Sequence, residues 1–502
     1  MNKADKPFAV DAVWAVLLLA LPWLNPFTYG PTPAVAQGLV AWLAAAVCWL
    51  LCEWSGVNFS ARVRLLATAW LLAAALSAAM GLLQYLGLSG PFGPWVDFVD
   101  AGQAYANLRQ RNQLATLLGI GVSALLWWQQ TTAQSTGGRR LVWLGGLALL
   151  LAAADAASAS RTGFVQLLLL FGLSLVWRRG RGTMLWALIA YSLAGLVLPF
   201  LMPHAPMSAQ ATLQSGILGR VGEASGRGIL WHNVLQLIAL KPWLGWGWGE
   251  LRYAHFITLY PGERFDQILG NAHNLPLQLA VELGLPVAIA LCAGLLWLVL
   301  RATPWREQDV TRQMAWSVLA VIFVHSMLEY PLWYGPFQLA AVAAAWMLWQ
   351  SRAGTALAPA AHGVAKLSLV LAVCTLLASS YSVWDYWRIS QIYLPVPERA
   401  PAYRDDTLDK IQASWLFQGQ VKFAELGVTP LTADNAQHIY TLAKEMLHFS
   451  PEASVVQKLI VSARMLGQRE EAAYYEKRFQ AAYSPEYAAW LAAESSACHK
   501  TP

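Results

Sequence analysis

Charge is what this sequence has least of. Lys, Arg, Asp and Glu make up 12% of 502 residues, where an average soluble domain carries about 25%. That shortage excludes a disordered chain, a coiled coil and an ordinary cytosolic enzyme. Cysteine is scarce too, with five at 48, 52, 292, 374 and 498. Four of these fall in apolar runs, and Cys48 and Cys52 have no His or Cys partner nearby. They read as small core residues without a disulfide framework. What the chain has in excess is apolar surface: 57% of residues are hydrophobic and 26 are Trp. About 20 apolar residues per helix is what a hydrocarbon slab of roughly 30 Å requires. Composition therefore points to an all-α polytopic membrane protein. The net charge of +6 is no nucleic-acid signal in itself, and no nucleic acid is expected as a partner.

Apolar runs of helical length predict about eleven spans, near 9–28, 34–52, 64–88, 112–130, 141–156, 162–177, 183–202, 274–300, 313–333, 336–351 and 365–384. Fourteen cations occupy every second loop, among them Arg62, Arg64, Arg178, Arg179, Arg306 and Arg312. Eight occupy the alternate loops. The richer set belongs on the cytoplasmic side, which puts the N-terminus inside and the segment after 385 outside. Lys3 and Lys6 ahead of an apolar run, with Ala34-Val35-Ala36 beyond it, also have the form of a signal peptide. Trp14, Pro22 and Trp23 within the run favour a first span instead.

Two domains are expected: a membrane domain over 1–384, with an outer loop at 203–273, and a helical tail over 385–502. The tail carries 14 of the 28 acidic residues. HIYTLAKEMLHF and VVQKLIVSARMLG place apolar residues at i, i+3, i+4 and i+7. Ser450-Pro451-Glu452 reads as a helix start with Ser450 as cap. Ser484-Pro485-Glu486 repeats it 34 residues later, the tetratricopeptide (TPR) period. The tail is thus a TPR-like helical appendage, either a stabilising cap or a surface for an acceptor.

Ionisable groups at membrane depth are costly and mark sites. His325 and Glu329 stand four apart in FVHSMLEYPLWYGPF, where Pro331 and Pro336 break the helix. They form either a site or a pair joining two helices. The loop carries Arg220 and Arg227, suited to bidentate phosphate contact. His273, in NAHNLPLQ, is able to take a proton from a hydroxyl or to serve as a helix-end contact. Arg161 in SASRTG, with Arg109 and Arg111 in NLRQRNQ, adds cations on the same side. No acidic or His/Cys group has metal-site spacing, so arginines rather than a metal are expected to stabilise a diphosphate.

These stretches resemble a known family. SGRGILWHN, KPWLGWGWG and NAHNLPLQLAVELG are similar to the Wzy_C domain of O-antigen ligases, O-antigen polymerases and bacterial O-oligosaccharyltransferases. SASRTG resembles its upstream element. NLRQRNQLA and HSMLEYPLWYGPFQ resemble motifs of the PglL-type O-oligosaccharyltransferases. The resemblance implies a GT-C-like fold in the bacterial inner membrane with a periplasmic active site and tail. It implies no cofactor and no metal, an undecaprenyl-diphosphate-linked glycan as donor, and inverting transfer to a hydroxyl of a pilin-like protein. Lipid A-core ligation or chain polymerisation are its alternatives. Outside the family, a transporter lacks support because no internal symmetry is evident. By motif, His273, Arg227 and Arg161 match catalytic positions. Gln110 matches the family Gln, with Gln103 and Gln113 as competitors. Tyr334 matches the Tyr, with Tyr330 as competitor, and Arg220 and His325 join the substrate contacts.

Overall fold

The computed structural model describes residues 9–132, 138–201, 221–352 and 362–498. All regular structure among them is helical. The chain divides into two compact units, one of residues 1–220 and 298–384, the other of residues 221–297 and 385–502.

The first unit contains α1 (Ala9–Leu24), α2 (Pro33–Trp54), α3 (Phe59–Tyr85), α4 (Arg111–Thr131), α5 (Gly138–Ser158), α6 (Arg161–Val176) and α7 (Arg181–Val197). Later in the chain come α12 (Val310–Ser326), α13 (Gly335–Arg352) and most of α14 (His362–Ser390). Side-chain caps set several starts: Asn58 accepts from the Ala61 amide at 2.9 Å, and Asp309 from that of Arg312 at 2.8 Å. One core links α1, α3–α7, α12 and α13. Small residues permit close approach there, as in other membrane bundles. Ala67, Ala73, Ala74 and Ala78 of α3 are wholly buried, and a Cβ at Gly121 of α4 would collide with Ala74.

Helices fall at each predicted run. Among the described residues, five are long and apolar enough to cross a membrane: Pro33–Trp54, Phe59–Tyr85, Arg181–Leu201, Leu285–Arg306 and Lys366–Tyr393. The run at 274–300 is two helices, because Gly284 (φ +84°) breaks it into α10 (Leu275–Leu283) and α11 (Leu285–Ala302). On α11, Ile289, Leu296 and Trp297 are exposed, a surface suited to lipid. Cys48 and Cys52 are buried as expected, whereas Cys374 is exposed on α14. An apolar environment outside the protein tolerates it there without core packing.

The second unit joins residues 221–297 to the tail. It holds α8 (Val221–Leu240), α9 (Leu251–Ile257), α10, the start of α11, α15 (Thr407–Ile411), α16 (Gln418–Val428), α17 (Ala436–Phe449), α18 (Ala453–Met465), α19 (Arg469–Ala482) and α20 (Ser484–Cys498). Residues 221–240, read from the sequence as loop, form a helix with Leu230, Val234 and Leu237 buried on one face. Helices α17 to α20 pack each on the next. Phe256 of α9 sits in their core. Ser450 does not cap α18. Its amide bonds to Met446 O at 2.8 Å, closing α17, and α18 begins at Ala453 after Glu452. At 484 the Ser-Pro-Glu signal does open a helix.

Candidate functional site

In the first unit the chain before α4 folds around Gln84, which is fully buried. Its amide bonds Asp97 O and Ala106 O, and its oxygen accepts from the Tyr105 and Ala106 amides. Asn107 donates to Leu24 O at 2.6 Å and Trp95 O at 2.9 Å. Arg109, at φ +60°, is taken up by Asp97 at 2.6 Å, Thr28 and Pro26 O. Much of NLRQRNQLA therefore holds a loop. Gln110 is the half-buried residue preceding α4 and makes no capping bond. Arg111 lies over the Tyr105 ring at 5.6 Å, and Tyr105 in turn bonds Gln103.

Beyond that loop three of the sequence motifs meet. Asn112 accepts from Ser160 Oγ at 2.6 Å and donates to Glu329 at 3.2 Å. One turn on, Thr116 Oγ1 lies 2.9 Å from His325 Nδ1 and accepts from Gln166 at 2.8 Å. His325 and Glu329 thus reach α4 as parallel rungs. Thr116 spends its own proton on Asn112 O at 2.9 Å, which assigns the proton of this contact to His325 Nδ1. His325 Nε2 is then an acceptor, and it is buried without a partner among the described residues. The ring has 0% exposure, so His325 positions helices rather than touching solvent-borne substrate. The Tyr334 hydroxyl lies near Tyr330 and Gln113, and the two tyrosine rings stack at 5.9 Å. The glutamine beside Tyr334 is accordingly Gln113.

Ser160 caps α6 by accepting from the Gly163 amide at 3.0 Å, and Arg161, the next residue, is exposed. Gly163 is required by packing. A Cβ there would lie 2.7 Å from Ala115 Cβ and 3.0 Å from Asp155 Cγ. Asp155 went unremarked in the sequence, although a carboxyl inside an apolar run is a signal in itself. It is 5% exposed, and its Oδ1 has no partner among the described residues.

In the second unit His273 stands at φ +51° just before α10, half-buried. Its amide donates to Asn271 Oδ1 at 2.8 Å, and Asn274 caps α10 by accepting from Leu277 at 3.1 Å. The Ala272 amide is held by Gln278 at 2.7 Å, and its carbonyl by the Trp231 indole at 3.0 Å. Arg227 lies one turn before Trp231 on α8, hence on the face that carries the His273 turn. Arg220 lies outside the described residues. The glycine run folds back on the α10–α11 junction. Trp246 and Gly247 amides bond Val281 O at 2.9 Å and Glu282 O at 3.0 Å. At Gly245 (φ +67°) a Cβ would fall 2.7 Å from the Gly284 amide, so no side chain fits.

The segment after α9 is pinned by a buried histidine. His255 accepts from Tyr260 at 2.8 Å and bonds Phe265 O at 3.1 Å, while Arg264 donates to Thr258 O and His255 O at 2.9 Å. Burial, then the Arg264 charge, pushes the imidazole down to about 3. Helix α9 is tied to the tail through Glu250 and His448 at 2.7 Å and through Arg478 and Ile257 O at 2.8 Å.

Fold and composition define a helical membrane protein. Residues 146–292 match the O-antigen ligase family (Wzy_C), and residues 104–128 match a protein glycosylation ligase family (PglL_A). Residues 313–497 match the C-terminal part of a virulence factor membrane-bound polymerase family. A general O-oligosaccharyltransferase of Acinetobacter baylyi is 27% identical over 284 residues, 53% of this chain and 47% of the relative. A ComP-specific O-oligosaccharyltransferase of the same organism is 23% identical over 241 residues, 47% of this chain and 42% of the relative. The chain thus spans somewhat under half the length of these curated relatives. No solved structure matches it. These findings support the Wzy_C family and, within it, the PglL type.

Proposed function

We propose that the protein is a glycosyltransferase that moves a glycan from undecaprenyl diphosphate to a Ser or Thr hydroxyl of a pilin-like protein. It works without a metal, with inversion, on the periplasmic face of the inner membrane. In this reading about eleven GT-C-like spans place the N-terminus in the cytoplasm and a TPR-like tail outside. The carrying observation is the node at Asn112. Stretches resembling the family motifs, more than 200 residues apart in sequence, meet there through hydrogen bonds beside the exposed Arg161.

The chemistry follows from the bond broken. As sugar C1 parts from the diphosphate, the leaving group gains negative charge. Arg161, Arg227 and Arg220 stabilise that charge, and losing one such contact costs on the order of 10²–10³ in rate. His273 orients or deprotonates the acceptor hydroxyl, worth roughly 10²–10⁴. Its turn is fixed on both sides by Asn271 and Asn274, which favours a ring held ready. Gln110 or Gln113, with Tyr334 or Tyr330, contact the substrate. The O-antigen ligase match favours one second reading, transfer to lipid A-core. Co-expression with a lipid-linked glycan, a pilin and a lipid A-core background separates the two by which acceptor gains mass. Unchanged activity in chelator is expected in either case.

A further inference from the structure

The loop between α8 and α9 turns its largest apolar side chains outward. In KPWLGWGWGE, residues 241–250, Trp243 is 76% exposed, Leu244 86% and Trp248 66%. This is not the display of a loose segment, because the backbone is held along its length. The Gly245 amide bonds Lys241 O at 3.2 Å, closing a turn, and the Trp246 and Gly247 amides reach Val281 O and Glu282 O. The Gly249 amide donates to the Glu282 carboxylate at 3.0 Å. Of the three tryptophans, Trp246 is turned inward. Its indole donates to Leu237 O at 2.9 Å, and its ring lies under the Lys241 ammonium at 4.1 Å. With these contacts made, Trp243 and Leu244 are fixed on the outside.

What they face is set by α11. The Leu285 amide donates to Pro242 O at 2.8 Å, and Gly284 packs against the Trp243 carbonyl. The loop tip therefore sits at the first residue of Leu285–Arg306, a segment long and apolar enough to cross a membrane and almost wholly unburied within the protein. Leu285, Val287 and Ile289 are exposed at its start, so the outward surface of the loop continues into that of the span. Large apolar patches mark contacts with a protein or a membrane, and this continuity selects the membrane. The first residue of a span lies where hydrocarbon gives way to headgroups. Tryptophan suits that level, since its ring body is apolar and its N–H stays near water. Lys241, exposed at the base of the loop, can extend its ammonium toward lipid phosphates.

We infer that Trp243, Leu244 and Trp248 form a bilayer anchor, seated among phospholipids at the headgroup–acyl boundary where α11 begins. The anchor also sets the height of the His273 turn. The nine residues of α10 cover about 14 Å, and the loop is bonded to the far end of that helix. The inference rests on the membrane reading but not on the transfer reaction. The test is photocrosslinking of the full chain in nanodiscs of phosphatidylethanolamine and phosphatidylglycerol. The photoreactive residue p-benzoylphenylalanine replaces Leu244, Ile289 on the exposed face of α11, or Gln437, an exposed polar position of the tail. Intact mass after irradiation is the readout. The chain labelled at 244 should gain the mass of one phospholipid, with a yield within about threefold of that at 289 and at least tenfold above that at 437. Lipid on 289 with 244 no better than 437 overturns the anchor and leaves the span standing. No lipid on 289 overturns the anchor together with the membrane reading of α11. A mass step equal to a second chain at 244 would make the patch an interface between copies and would overturn it too. Transfer is not the readout, so the His273→Ala chain should give the same adducts, and a negative result leaves the transferase reading untouched.

Discussion

Gly163 and Gly172 lie on the same helix and predict opposite outcomes for the same substitution. Replacing either by Ala removes backbone freedom from the unfolded chain and gains roughly 0.5–1 kcal/mol in a helix interior. At Gly172 nothing lies within 4 Å of the new Cβ, so Gly172→Ala should keep that gain. At Gly163 the Cβ arrives 2.7 Å from Ala115 Cβ and 3.0 Å from Asp155 Cγ. Carbon atoms rest at about 3.5 Å or more, so α4 or α6 must give by about 0.8 Å. Overpacking of that kind costs about 1–3 kcal/mol. The upper part of the range is expected, because obstacles on α4 and α5 close in together. The propensity gain is common to both variants, so their difference isolates the packing cost. Thermal unfolding in detergent measures it: Gly163→Ala should melt several degrees below Gly172→Ala, and adding Ala115→Gly should restore part of the loss. Equal melting of the two variants would refute the close three-helix packing at the SRTG turn.

The node gives a second prediction. Asn112→Asp would set a carboxylate 3.2 Å from Glu329 and should lower stability and transfer more than Asn112→Ala, as paired melts and transfer assays would reveal; an Asp variant matching wild type contradicts the contact. A third concerns pH. The folded His255 is held near 3, against roughly 6.5 when unfolded. The unfolded chain therefore takes up a proton that the fold refuses, and stability falls as pH drops from about 6.5 toward 3, by up to about 1.4 kcal/mol per unit. The melting gap between wild type and His255→Gln should narrow from pH 7 to pH 4.5, and a constant gap counts against the buried neutral ring. Fourth, Arg227→Lys should lose nearly as much transfer as Arg227→Ala, since an ammonium cannot form the planar fork; near-wild-type rates for the Lys variant would remove a bidentate role.

Helix positions were legible because the apolar runs are of helical length; the starts capped by Asn58 and Asp309 lie a few residues ahead of the runs at 64 and 313. The break at Gly284 was not, since LQLAVELGLPVAIA reads as one helical run and the glycine's positive φ depends on the 242–247 loop packed against it. The helix at 221–240 reads as loop because Gly226, Gly228 and its polar residues dilute the period that Leu230, Val234 and Leu237 keep. At the site, SASRTG, NLRQRNQ and HSMLEYP drew notice as polar interruptions. Their roles divided in ways residue type alone does not reveal. Arg109 is a loop clamp because Asp97 is folded beneath it, and His325 is a buried strut because Thr116 sits opposite. What Asp155, Thr116 and Gln166 do gives no signal in the sequence because each is a single polar residue in an apolar helix, informative only once its neighbours are known.

The most direct measurement is the intact mass of a pilin co-expressed with one lipid-linked glycan and either wild-type chain or His273→Ala. The account predicts that the pilin gains the mass of the glycan with wild type and gains nothing with the variant, while expression and donor lipid stay equal. Glycosylated pilin in both strains, or glycan found on lipid A-core alone, would contradict it.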